Sequence, residues 1–145
     1  MSFVRRSSVL PIPASTAYRL AAKIELFEYV VSPYLRIRDV DAPATFESGS
    51  AGSGRLWWLG AIPSWRHHIH LVRMGDGEIY TNEHGGPVRT WNHRLTFEPL
   101  DANSCRYTDE IEVDGGLHGL GTGLFARLMF RHRHRRWHEL ARVLA

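Results

Sequence analysis

Two predicted strands joined by a short turn make up residues 87–116, PVRTWNHRLTFEPLDANSCRYTDEIEVDGG. Apolar side chains alternate with polar ones in both strands, and successive side chains of a strand point to opposite faces. The hairpin therefore has one apolar and one charged face, which is typical of an antiparallel sheet with one face buried. The apolar face holds Trp91, His93, Leu95, Phe97, Cys105, Tyr107, Asp109, Ile111 and Val113.

His93 and Asp109 are the exceptions on this face, because both side chains can ionise. A buried ionisable group usually needs a partner, and a turn near residues 101–103 brings the two strands into antiparallel register. A turn centred at Asp101 would place the two residues directly opposite each other, and a shift of one step would make them diagonal neighbours. We therefore predict that the imidazole and the carboxylate meet inside the protein.

The chain has 145 residues, of which 43% are hydrophobic and 23% charged, as in an ordinary soluble globular protein. This length predicts a single domain over residues 1–145. The one cysteine, Cys105, allows no internal disulfide and is expected to fill the core. No secretory signal and no apolar run long enough to span a membrane are found, so the expected location is the cytoplasm.

The basic charge of the chain is concentrated near its end. Six arginines stand against a single acid between Arg127 and Arg142. Such a segment can be a solvated helix face or a surface that attracts polyanions. No recognised nucleic-acid motif accompanies it, so we expect no nucleic-acid partner and an exposed arginine face that contributes little to stability.

Before the hairpin the pattern predicts four strands, with two short helices between the first strand and the second. A further strand, 78–83, follows the Gly-Asp-Gly turn at residues 75–77. The segment 48–54, SGSAGSG, is expected to be a flexible loop. The predicted ranges are 3–10, 35–40, 55–59 and 65–74 for the strands, and about 15–22 and 25–31 for the helices.

After Gly116 apolar residues recur every three or four positions, which predicts a long amphipathic helix over 118–144. Leu124 and Leu128 are expected to pack this helix on the concave face of the sheet. The fold class is therefore α+β, with a seven-stranded antiparallel sheet curved around the last helix. Such an arrangement leaves a space between sheet and helix that can bind a ligand.

The chain resembles the SRPBCC superfamily of START, polyketide cyclase and Bet v 1-like proteins, which have a helix-grip fold. The resemblance covers nearly the whole chain. It is carried by GGP…WxHxLxF at residues 85–97, TDxI at 108–111 and FRHRHRR at 130–136, which resemble a branch of bacterial proteins. Where that branch has an Asp and a Gln, this chain has Thr81 and Glu83. The resemblance implies a cavity for lipids, hormones or polyketides, or cyclisation or dehydration chemistry.

Several residues are candidates for this cavity. His93 and Asp109 could form an acid–base pair, because a carboxylate fixes the imidazole tautomer and raises its pKa. The alternative is a structural pair that fixes strand register, which is the role of most buried pairs. Glu83 should share the face of Thr81 and point the same way. The candidate ligand-binding residues are Glu83, Trp91, His93, Leu95, Tyr107, Asp109 and Phe125.

His67, His68 and His70 are candidate metal ligands, and His68 and His70 would share one strand face. No third ligand for that pair occurs at matching spacing, so we expect no metal and no cofactor. Three functions follow from the sequence. The first is binding of a small, largely apolar molecule. The second is a cyclase- or dehydratase-like enzyme that uses His93 and Asp109, and the third is an interaction module built on the arginine face. A homodimer is left open.

Overall fold

The computed structural model of the protein describes residues 2–116 and 119–145. One strand, two short helices, six strands and one long helix follow each other, as the sequence predicted. The predicted helix start at position 118 lies outside the described residues. The elements are β1 (Ser2–Leu10), α1 (Ala14–Ala21), α2 (Ile24–Val31), β2 (Leu35–Asp41), β3 (Ala51–Trp58), β4 (Ile62–Gly75), β5 (Glu78–Gly85), β6 (Val88–Asp101), β7 (Ser104–Asp114) and α3 (Gly119–Leu144).

The seven strands form one antiparallel sheet in the order β1-β7-β6-β5-β4-β3-β2. Apart from β1 and β7, neighbouring strands are consecutive in the chain; turns of two or three residues connect β3 to β7, and the longer segment 42–50 connects β2 to β3. Strand β1 pairs with β7 at one edge of the sheet, and α1 and α2 connect β1 to β2 at the opposite edge. Helix α3 packs against β1, β7 and α2. The predicted helix-grip architecture is confirmed.

The β6–β7 hairpin has the alternating burial that its sequence predicts. His93 stands opposite Ile111, and Asp109 stands opposite Leu95. His93 and Asp109 are therefore diagonal neighbours on the same face, which is the second of the two predicted arrangements. The turn is held by the Asn103 backbone N–H, which donates to Asp101 Oδ1 at 2.8 Å.

The glycine-rich segment 48–54 is only partly a loop, because β3 already begins at Ala51. Gly52 and Gly54 lie inside this strand, where neighbouring groups leave no room for a side chain. A Cβ atom at Gly54 would lie 2.4 Å from Cγ2 of Ile37 on β2. Here glycine permits a close approach of two strands, and the predicted flexible loop is wrong for residues 51–54.

The predicted packing of α3 is wrong for two leucines. Leu124 and Leu128 are 56% and 57% exposed. Nine positions separate Leu128 from Trp137, which is about two and a half helical turns, so the predicted apolar stripe joined opposite faces of the helix. The residues that α3 buries are Thr122, Gly123, Ala126, Met129, Phe130, His132, Arg133, His134, Trp137 and Ala141.

Candidate functional site

A buried cluster of polar side chains lies between the sheet and the middle of α3, centred on Asp109. This carboxylate has no solvent exposure. Its Oδ1 atom is 2.6 Å from Nε2 of His93, while Oδ2 accepts from the Tyr107 hydroxyl and from Nε2 of His134 at 3.0 Å. Arg133 Nε donates to the same oxygen at 3.4 Å. Asp109 is thus surrounded by donors from β6, β7 and α3.

These donors keep Asp109 ionised. Burial raises the pKa of the carboxyl, but the positive charges of Arg133 and His93 and the hydrogen bonds from His134 and His93 outweigh burial and hold the pKa well below its ordinary value. The same surroundings raise the pKa of Tyr107 well above its ordinary value, through burial first and then through Asp109. The phenol therefore stays a neutral donor.

Glu83 supplies a second buried carboxylate at the end of β5. Its Oε2 atom lies 2.8 Å from Nε2 of His67, and Oε1 accepts from the Thr81 hydroxyl at 2.7 Å. The indole N–H of Trp65 donates to Nδ1 of His67 at 3.3 Å, which leaves Nε2 of His67 to face Glu83. Burial raises the pKa of Glu83, but the hydrogen bonds and charges of His67 and His93 outweigh burial, so the pKa is lowered overall.

His93 lies between the two carboxylates. Nε2 faces Asp109, and Nδ1 is 3.8 Å from Oε1 of Glu83. Phe130 stacks on the ring with a centroid separation of 5.3 Å. Burial alone lowers the pKa of His93, but the charge and hydrogen bond of Asp109 outweigh it, so the pKa is raised. With His93 protonated, two carboxylates face one imidazolium and the Arg133 guanidinium, and the charges balance.

Arg133 corrects the prediction of an exposed arginine face between Arg127 and Arg142. Its side chain is only 6% exposed and reaches both Asp109 and the Tyr107 oxygen, the latter at 3.3 Å. Burial lowers the pKa of the guanidinium, but Tyr107 and Asp109 raise it above its ordinary value, so this buried group remains charged. Arg133 holds an internal carboxylate and does not belong to the solvated surface.

Two small apolar pockets border this cluster, with volumes of about 70 and 50 Å³. The first lies among α1, α2, the sheet and Trp137, and the second lies under the N-terminal half of α3. Phe27, His93 and Arg133 line both pockets. The shared wall is therefore one aromatic ring of α2 beside the two cations of the cluster.

The predicted ligand-binding residues divide into two groups. His93 lines both pockets, Leu95 the first, and Glu83, Trp91 and Phe125 the second. Tyr107 and Asp109 line neither of these pockets and lie behind His93 and Arg133, which they bind. The structure therefore places the predicted pair in contact but brings only its histidine to the pocket walls.

Sequence reasoning missed four polar or aromatic members of the site: Arg133, His134, His67 and Phe130. One signal could have found two of them. Residues 126, 130, 133 and 137 follow each other at helical spacing and end at a large apolar Trp137, so they share one face of α3. His67 shares strand parity with Trp65 but had been grouped with its neighbouring histidines.

The three histidines of β4 do not act together in this structure. His67 bonds to Glu83, while His68 stacks on His84 at a centroid separation of 4.9 Å. Within residues 2–116 and 119–145, no group of three or more His, Cys, Asp or Glu side chains is arranged to hold a metal ion. None of the helices formed by these residues is long and apolar enough to cross a membrane.

Comparison with known proteins identifies the fold. A family model described as a domain of unknown function, DUF8410, matches residues 8–142. A START superfamily protein from Mycobacterium smegmatis superposes with a TM-score of 0.75 at 15% identity, covering 99% of both chains. No curated protein sequence matches the chain.

Two further solved structures share this fold. The di-domain ARO/CYC protein BexL of the BE-7585A biosynthetic pathway matches at 17% identity and a TM-score of 0.69, over 96% of this chain and 46% of its own. Norcoclaurine synthase from Thalictrum flavum matches at 7% identity and a TM-score of 0.68, over 97% and 93%. The START-like, SRPBCC-type fold predicted from the sequence is confirmed; at these identities the likeness concerns the fold alone.

Proposed function

Since this chain belongs to the DUF8410 family, described as a domain of unknown function, we propose its function from its site: it binds a small, largely apolar molecule between the sheet and α3. The observation that carries this proposal is the shared wall of the two pockets. His93 and Arg133 face both spaces, while most other lining side chains are apolar. Apolar walls with a few convergent polar groups are typical of small-molecule sites.

The two pockets act as one site when Phe27 moves. Each is small beside the volume of about 300–1,000 Å³ that ligand pockets usually have. Phe27 is only partly buried, belongs to the short helix α2 and lines both spaces. Rotation of this ring, or a shift of α2, joins the pockets into an elongated cavity beside His93 and Arg133.

The charge balance of the cluster selects the polar end of the ligand. Asp109 faces Arg133 and His93, and Glu83 faces His93, whose raised pKa favours its protonated form, so the cations of the cluster already have carboxylate partners. A carboxylate would bring a third negative charge into a buried place, which is unfavourable. We therefore assign the site to an apolar molecule whose polar end is a neutral carbonyl or hydroxyl group.

The test uses the neutral fluorescent reporter N-phenyl-1-naphthylamine. Ala21 lines the first pocket at the end of α1 and is partly exposed. Ala21→Trp should therefore fill the pocket and weaken binding of the reporter by about ten-fold or more. Ser15→Trp is the matched control, because Ser15 is exposed at the start of the same helix and lines neither pocket. Phe27→Ala should strengthen binding. Equal affinities in all four proteins would refute the site.

Competition then defines the polar end. A fatty alcohol should displace the reporter at lower concentration than the fatty acid of equal chain length. The reverse order would show that the cluster accepts an anion and would overturn the charge argument. Native mass spectrometry of the protein purified from its own host would identify the natural ligand directly.

A second candidate is a cyclase- or dehydratase-like enzyme in which His93 and Asp109 transfer protons. It is favoured by the position of His93 on the wall of both pockets with its Nε2 held by Asp109. Both ring nitrogens face carboxylates, however, so the imidazole must release Glu83 before it can reach a ligand. This candidate predicts that the host ligand is converted on incubation, with loss of water in a dehydration or to an isomer of equal mass in a cyclisation, and that His93→Gln prevents the conversion while the reporter still binds.

A further inference from the structure

A second concave surface lies outside the apolar site, in an open groove of about 410 Å³ between the edge strand β1 and α3. Arg6 and Ser8 form the β1 side. The α3 side is a single stripe at helical spacing, since positions three, four, seven and eleven residues apart lie on one face. The stripe consists of Arg131, His134, Arg135, His138 and Arg142.

The charge of this groove is not compensated within the part of the chain that the structure describes. None of its four arginines forms an ion pair with a carboxylate there; the nearby pairs are Arg5 with Glu110 and Arg136 with Glu139. Among residues 2–116 and 119–145, no acidic side chain lines the groove. Four like charges converge on one space, which creates a strongly positive local potential.

His138 lies within this field. Burial lowers the pKa of the imidazole, and the positive charges of His134 and Arg142 lower it further. The groups that face it across the groove are Arg6 and Ser8 on β1 and Arg131 and Arg135 on α3. All of the charged groups in this set are cationic, so an anion in the groove would favour the protonated imidazole.

We propose that this groove is a second binding site, which takes a phosphate-bearing anion through its four arginines. Guanidinium groups bind phosphate oxygens in a bidentate manner, and several of them around one space suit a polyvalent anion. The phosphate can belong to a soluble compound or to a lipid headgroup, and the two sources offer the same oxygens. The site is separate from the apolar pockets and does not depend on what they bind.

The floor of the groove connects it to the buried cluster. His134 is almost fully buried; its Nδ1 lies 2.6 Å from the Ser8 hydroxyl oxygen, and its Nε2 lies 3.0 Å from Oδ2 of Asp109. One imidazole thus separates the proposed anion from the carboxylate that holds His93 and Arg133. Occupancy of the groove should therefore be visible in the NMR signals of the His93 ring.

The experiment measures inorganic pyrophosphate binding to the full chain by titration calorimetry. The double variant Arg131→Gln/Arg135→Gln should weaken binding by about ten-fold or more, because two charge-assisted contacts are lost. Arg127→Gln is the matched control, because Arg127 is exposed on the same helix but lies outside the groove. The control should bind like the unchanged protein, and pyrophosphate should raise the pKa of His138 measured by NMR.

Vesicles of phosphatidylcholine with and without phosphatidic acid distinguish the two sources. Binding of pyrophosphate without vesicle capture would support a soluble phosphate compound, whereas vesicle capture that depends on phosphatidic acid and on Arg131 and Arg135 would support a lipid headgroup. Binding of neither probe would overturn the proposal. An equal loss in Arg127→Gln would also overturn it, because it would show unspecific attraction to the helix.

Discussion

Arg133 and its neighbours Arg131 and Arg135 belong to one turn of α3 and have opposite surroundings. Arg133 is 6% exposed and holds Asp109, whereas Arg131 and Arg135 are exposed in the groove beside β1. All three residues are arginines, so the side chain itself does not explain the difference. The difference shows that the phase of the helix against the sheet decides which arginine is buried, and that a buried arginine needs a carboxylate already in place.

Removal of the guanidinium from Arg133 and from Arg135 should change the free energy of unfolding by very different amounts. Arg133→Met should lower the free energy of unfolding by about 3–5 kcal/mol, because it leaves Asp109 buried without its permanent cation. Arg135→Met should change it by less than about 0.5 kcal/mol. Urea unfolding of both variants measures the comparison.

A double variant shows whether the loss comes from the ion pair. Asp109→Asn in the Arg133→Met background should recover part of the stability, because it removes the uncompensated negative charge. Additive losses would mean that Arg133 stabilises the protein through packing alone.

The same comparison extends to apolar residues of α3. Met129 is 8% exposed and Leu128 is 57% exposed, although they are adjacent. Met129→Ala should cost at least about 2 kcal/mol, as usual for a buried side chain of this size, and Leu128→Ala should change stability only slightly. A larger loss at Leu128 in urea unfolding would mean that the helix is rotated relative to the described packing.

The sheet could be predicted from the sequence because strand alternation is a local signal. Residues 91–97 and 105–113 of the hairpin alternate with a period of two that is broken only at the buried Thr108, so the buried face and the contact of His93 with Asp109 follow from parity and one turn. The glycine-rich start of β3 could not be predicted in this way. Its composition is that of a loop, and only the close approach of β2 explains it.

The site could be predicted only on its sheet side. Parity identified Glu83, His93 and Asp109, but the phase of α3 depends on which of two competing stripes packs on the sheet. Leucines at 124 and 128 favoured the wrong stripe, because a leucine is a stronger apolar signal than Ala126 or Arg133. The compensation of Asp109 by an arginine 24 positions away is a tertiary property that no local pattern contains.

The raised pKa of His93 makes the stability of the protein depend on pH. The folded-state pKa of His93 is raised above its ordinary 6.5. Its contribution is therefore fully present below a pH of about 6.5 and is lost as pH rises through the raised value, with about 1.4 kcal/mol for each unit of the shift. Urea unfolding across this range should show a decrease in the unchanged protein that is absent in His93→Gln.

An NMR titration tests the cause of this dependence. Asp109→Asn should lower the pKa of His93, because it removes the negative charge that favours the imidazolium. Identical titration curves in the two proteins would show that the side chains do not interact. The role of the pair in ligand binding or in catalysis is a separate question, answered by the reporter and the host ligand.

The smallest expected effect concerns two adjacent arginines of α3, the partly buried Arg136 and the exposed Arg135. Arg136 Nε donates to the Tyr29 carbonyl oxygen at 3.1 Å, and the guanidinium lies 3.9 Å from the centre of the Tyr29 ring. Arg136→Gln should therefore lower the free energy of unfolding by about 1 kcal/mol. Arg135→Gln should raise it by a few tenths of a kcal/mol at low salt, because the groove arginines repel one another. Salt screens this repulsion, so the gain should disappear at high ionic strength while the loss at Arg136 persists. A salt-independent loss at Arg135 would show that its side chain makes a specific contact, and the groove would then lack the uncompensated charge on which anion binding depends.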